Sequence, residues 1–154
     1  MSKIIISLIL LFLATTNALS AQAANLEVGR VKAITNKILD ISAAIAAEGK
    51  NDETFSKRYG FSSNVEQFSS QAVTFNMVTG LVAEEANLSK KSMKRYRAIS
   101  RSIWSSCDYY LPVLDAYSKE DELKRYSALI NQYKVEVEKL MNIADRNSKI
   151  YKVK

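Results

Sequence analysis

The sequence predicts an all-α protein, an antiparallel four-helix bundle that follows a cleaved N-terminal signal peptide. Three observations lead there. Chain breakers are scarce, with four glycines and one proline in 154 residues, and extended alternating runs of Val, Ile and Thr that would mark strands are missing. Apolar residues instead recur three and four apart along long stretches, the spacing of one helix face. The leader MSKIIISLILLFLATTNALSAQAAN has Lys3, an apolar run from Ile4 to Ala14, a polar break at Thr15, Thr16 and Asn17, and small residues at Ala21 and Ala23, the grammar of a secretory signal.

The leader's apolar run of eleven residues, Ile4 to Ala14, falls short of the roughly 20 that a helix needs to cross a bilayer. Cleavage after Ala23 is therefore expected, with residues 1–23 removed and residues 24–154 forming one domain in the periplasm or outside the cell. Cys107 is the only cysteine, so there is no thiol at the cleavage site to carry a lipid and no intrachain disulfide. Packed helices must supply the stability that disulfides usually give small exported domains.

The first helix is expected from Asn25 to Glu48, with Val31, Ile34, Ile38, Ile41 and Ile45 on one stripe and Gly49 at its stop. The second, Asn64 to Leu88, aligns Phe68, Ala72, Phe75, Thr79 and Val82, and Gly80 within it costs about 1 kcal/mol relative to alanine. The third runs from Ser89 to Leu111, where Pro112 is expected to end or kink it. The fourth opens at Ser118, whose hydroxyl can cap the first turn, with Glu120, Asp121 and Glu122 set against the positive end of the helix dipole. Its stripe is Leu123, Tyr126, Ile130, Tyr133, Val137, Leu140 and Ala144. Mostly short connections favour an antiparallel bundle. The longer connection, Gly49 to Ser63, carries Phe55, Tyr59 and Phe61. These aromatics read either as a cover over one open end of the bundle or as a binding loop.

The absence of histidine removes Ser-His and Cys-His nucleophile pairs, imidazole metal sites and histidine-ligated haem. No serine has a lysine three residues on, which removes the usual serine–lysine nucleophile. Neighbours such as Glu84 and Glu85, or Glu120 through Glu122, point about 100° apart on a helix and read as solvated charge. The glycines are too scattered to cradle a phosphate. No catalytic residue, cofactor or metal is expected, and the protein reads as a non-enzyme. Cys107 falls with Tyr96, Ile103 and Tyr110 on the apolar side of the third helix, where a thiol acts as a small hydrophobe. Tyr126 and Tyr133 lie on the fourth seam, in core packing that must find partners for their hydroxyls or in a ligand pocket.

Without residues 1–23 the chain carries 21 basic and 16 acidic groups, a net +5. Residues 24–88 are net −2 and residues 89–154 net +7. The stretch SKKSMKRYRAISRSIW, Ser89 to Trp104, holds six bases and no acid. On a helix Lys90, Lys94, Arg97 and Arg101 share one face, with Lys91 and Arg95 beside them; Met93, Tyr96, Ile99, Ile103, Trp104, Cys107 and Tyr110 fall opposite. Solvated helix faces usually mix signs, because opposite charges four apart gain roughly a few tenths of a kcal/mol and like charges lose as much. A single-sign face points to an anionic partner, although a plain solvated face reads the same way. Trp104, at the edge of the apolar arc, suits a membrane interface or a stacked guanidinium.

The expected function is that of an exported helical-bundle binding protein. It would engage an anionic envelope surface or another protein through Lys90, Lys91, Lys94, Arg95, Arg97, Arg101 and Trp104. An immunity or inhibitor protein that binds an exported toxin or hydrolase is the alternative, and a holding chaperone for envelope proteins is a weaker third. Nucleic acid fits an exported destination poorly. Whether the bundle closes within one chain or as a homodimer is open at this level.

Overall fold

The computed structural model describes residues 27–53, 59–85 and 89–150. Among these residues the chain forms four α-helices and no strand: α1 over 27–49, α2 over Tyr59–Glu84, α3 over Lys90–Lys119 and α4 over Ser127–Ile150. A 3₁₀ segment, Asp121–Tyr126, leads into α4. The protein is an all-α helical bundle. The leader and its cleavage point lie outside the described residues.

The stripes read from the sequence make the core. Val31, Ile38 and Ile45 of α1, Phe68, Ala72 and Phe75 of α2, Ile103, Cys107 and Leu114 of α3, and the whole seam from Leu123 to Ala144 are buried in one cluster. Each large side chain so buried contributes about 1.5–3 kcal/mol. Val82 and Ile41 are only partly covered.

Three boundaries differ from the sequence reading, each where burial overrides a local signal. Helix α2 starts at Tyr59, five residues before Asn64. Phe61, Val65 and Phe68 extend its apolar stripe, so the helix reaches back as far as there is surface to cover. Phe61 is therefore not part of a binding loop. It is 1% exposed and packs edge-on against Tyr117 at 5.0 Å and tilted against Tyr126 at 6.5 Å. Phe55 and the Tyr59 side chain lie outside the described residues. Helix α3 passes through Pro112 and continues to Lys119. A proline inside a helix costs about 3 kcal/mol, and the buried Leu114 and the Phe61–Tyr117 contact beyond it offset that cost. Ser118 consequently sits inside α3, where its hydroxyl donates to the Asp115 carbonyl at 2.8 Å. The cap position before the 3₁₀ segment is Glu120, with no side-chain cap bond.

Buried hydroxyls tie the helices together. Asn147 Nδ2 donates to Tyr96 Oη at 2.8 Å. Tyr96 Oη lies 3.3 Å from Thr79 Oγ1, which itself donates to the Phe75 carbonyl at 2.8 Å; the proton between the two hydroxyls is thus the tyrosine's. Tyr133 Oη, Ser69 Oγ and the Val65 carbonyl form a second cluster, with contacts of 2.8 to 3.0 Å. The Asn147–Tyr96–Thr79 contacts and the Arg146–Glu27 pair at 3.3 Å gather the start of α1, the end of α2, the start of α3 and the end of α4 at one end of the molecule. At the other end Tyr126 Oη donates to Asp52 Oδ2 at 2.6 Å, and Asn64 donates to Tyr117 Oη at 3.1 Å.

Candidate functional site: the basic face of α3

Helix α3 opens at Ser89, whose hydroxyl accepts from the Ser92 N–H at 3.0 Å. That cap satisfies one of the free N–H groups of the first turn. No acid stands in that turn, and Lys90 and Lys91 occupy it instead. Cations there oppose the helix dipole, at about 0.3–1 kcal/mol each.

The six bases gather on the first turns of α3, with Arg97 half-buried and the other five exposed. Tyr96, Ser100, Ile103, Cys107, Tyr110 and Leu114 are buried on the opposite side. Seven cations elsewhere are ion-paired: Lys37, Lys119, Arg125, Lys134, Lys139, Arg146 and Lys149. Among the described residues none of the six on this face makes such a pair. Just past the end of α2, Glu85 lies near Arg95 without forming such a pair among the described residues. Trp104 is 36% exposed at the edge of the apolar arc. Among the described residues a cation–π contact lies elsewhere, with Arg125 5.2 Å from the Tyr126 ring centroid.

Packing reveals a neighbour to this face that sequence reasoning missed. The end of α2 and the start of α3 enclose an open cleft of about 400 Å³, walled by Val78, Leu81, Val82 and Ile99, with Glu85, Ser92 and Arg95 also lining it. Leu81 is 66% exposed, and Met77, one turn earlier, is 63% exposed. The signal was present in the sequence: residues 67–83 contain no charged side chain, and Met77, Val78 and Leu81 stand outside the stripe of Phe68, Ala72, Phe75, Thr79 and Val82.

The perturbed titratable groups lie in the core or in ion pairs. Burial pushes the Cys107 thiol up to about 12, which keeps it protonated and unreactive. Burial also raises Tyr133, and a hydrogen bond with Ser69 opposes that shift. Tyr126 is pushed up to about 12, first by burial and then by its bond to Asp52. Hydrogen bonds from Lys119 and Lys134 hold Asp115 down at about 2. Glu84, Glu85, Asp121 and Glu122 are exposed, as solvated charge should be, and Glu120 is half-buried. Among the described residues no group of three or more Cys, Asp and Glu side chains could hold a metal ion, and no helix is long and apolar enough to cross a membrane.

The six cations thus lie on the first turns of α3, Lys90, Lys94, Arg97 and Arg101 on one face and Lys91 and Arg95 beside it, with Trp104 at the margin and Phe61 at the opposite end of the molecule. No known protein family, curated protein or solved structure matches this chain.

Proposed function

We propose that this chain is an exported, non-catalytic binding protein that engages an anionic partner through the basic face of α3. It is released from a signal peptide of residues 1–23 as a single antiparallel four-helix bundle of residues 24–154. What supports the antiparallel arrangement is the order of contacts: along α2, Phe61 meets Tyr117 while Thr79 meets Tyr96. The observation that carries the function is the set of six cations, none ion-paired among the described residues, where seven others in the fold have found acids. Their mutual repulsion and their opposition to the helix dipole burden the free protein. A partner's anions relieve both, and their long-range attraction steers the encounter.

The test reverses Lys90, Lys94, Arg97 and Arg101 to glutamate. Glutamate forms helix about as well as lysine, so circular dichroism should be unchanged. Capture of anionic vesicles, lipopolysaccharide and periplasmic proteins should collapse. Binding by the parent protein should weaken steeply toward physiological salt, where the screening length is about 8 Å. If the reversed protein is folded and binds everything the parent binds, the face is only solvated surface. A one-to-one saturable complex with a single exported toxin or hydrolase would assign the inhibitor reading instead.

A further inference from the structure

The cations of α3 border an apolar surface. Arg95 lines the cleft whose walls include Leu81, Val78 and Ile99. Lys91 lies one turn before Arg95 on the same side of the helix, also exposed. Leu81 and Met77 stand on the outer side of α2 with about two thirds of each in solvent. Glu85 is the single acid lining the cleft. Single exposed apolar side chains are ordinary on a protein surface; two on adjacent turns, beside a cleft that Arg95 lines and Lys91 adjoins, are not.

The same end of the molecule receives the chain from the leader. The Glu27–Arg146 pair and the Asn147–Tyr96 bond hold the start of α1 there. Twelve residues separate Ala14, the end of the leader's apolar run, from α1.

We propose that this end of the bundle docks on an anionic phospholipid bilayer. Met77 and Leu81 enter the boundary between headgroups and acyl chains, and Lys91 and Arg95, with Lys90 and Lys94 beside them, hold headgroup phosphates. The proposal rests on the binding role of the basic face and narrows its partner to lipid. A bilayer surface stacks an anionic layer over hydrocarbon within several ångströms, and a patch that is apolar on α2 and cationic along its α3 side, with the exposed acids Glu84 and Glu85 one turn beyond Leu81, meets both layers at once. An acidic partner surface with no apolar patch of its own would satisfy the cations and leave Met77 and Leu81 wet. Each cation near an anionic leaflet strengthens binding by about fivefold, and the apolar pair adds attraction that salt does not screen.

Two variants of the mature chain separate the docking from the basic-face reading. Leu81→Cys can be labelled selectively with an environment-sensitive fluorophore, because Cys107 is buried and its thiol stays protonated. On vesicles of phosphatidylcholine mixed with phosphatidylglycerol the probe should shift to the blue and be quenched by brominated acyl chains. On phosphatidylcholine alone it should not respond. Met77→Asn combined with Leu81→Asn should leave circular dichroism unchanged, since both side chains are mostly in solvent, and should weaken binding to anionic vesicles by about tenfold. If the double variant binds as tightly as the parent and the probe stays unshifted, while charge reversal still abolishes vesicle binding, the docking mode is overturned and the basic-face reading stands. Equal probe response on both vesicle types overturns the anionic requirement. Absence of vesicle binding at low salt overturns the lipid partner and leaves the basic face to a protein.

Discussion

Tyr126 concentrates at one residue the forces that close the far end of the bundle. Its hydroxyl donates to Asp52 Oδ2 at 2.6 Å, and Arg125 reaches the same oxygen at 3.3 Å. Removing the hydroxyl strips a half-buried carboxylate of a close donor, so Tyr126→Phe should lower unfolding free energy by about 2 kcal/mol in urea denaturation. The fold favours the neutral phenol, whose pKa rises from 10 to about 12. Its contribution is therefore complete below pH 10 and is lost as pH climbs from 10 to 12. An absorbance titration of tyrosinate should show Tyr126 and Tyr133 ionising only as helix content falls. A single early step with helix intact would contradict this. The sequence placed both tyrosines on the seam and required partners for their hydroxyls. It could not name Asp52 or Ser69, which lie 74 and 64 residues away along the chain, because only packing brings them within reach.

At the level of the helices, periodicity was legible and termini were not. All seven members of the predicted stripe on the last segment are buried, because a spacing of three and four encodes which face turns inward. Pro112 and Ser118 are local signals, and their penalties of a few kcal/mol are outweighed once Leu114 and Tyr117 find neighbours across the bundle. Gly80 shows the opposite case, a local penalty left uncompensated. A Cβ built there meets nothing within 4 Å, and no glycine among the described residues has a positive φ. Gly80→Ala should raise stability by about 1 kcal/mol and the melting temperature by about 3 °C. A fall in the melting temperature would mean that this turn of α2 depends on the absence of a side chain.

Across the whole molecule, the charge asymmetry between the two halves of the sequence becomes an array on one helix at one end of the fold. That array was legible because α3 alone carries it. The cleft beside it was not, because Leu81 and Arg95 are fourteen residues apart and become neighbours only when α2 packs on α3. Burial of Cys107 is a global property too, since its thiol is fully enclosed between helices. Its labelling by a thiol reagent at neutral pH should proceed only at the rate of unfolding and rise in step with denaturant; fast labelling with helix intact would mean that α3 lifts locally. Reductant should leave the helical signal unchanged. The bond from Asn147 to Tyr96, continued toward Thr79, keeps α3 from rolling on its axis or slipping by a turn, because either movement breaks both buried contacts. The cations on its outer side are therefore held at set intervals, like the teeth of a key cut from a stiff blank. Two partners of equal total charge will not be equivalent to such a surface: the one whose negative groups repeat with the pitch of the helix engages every tooth, and the other engages only some of them.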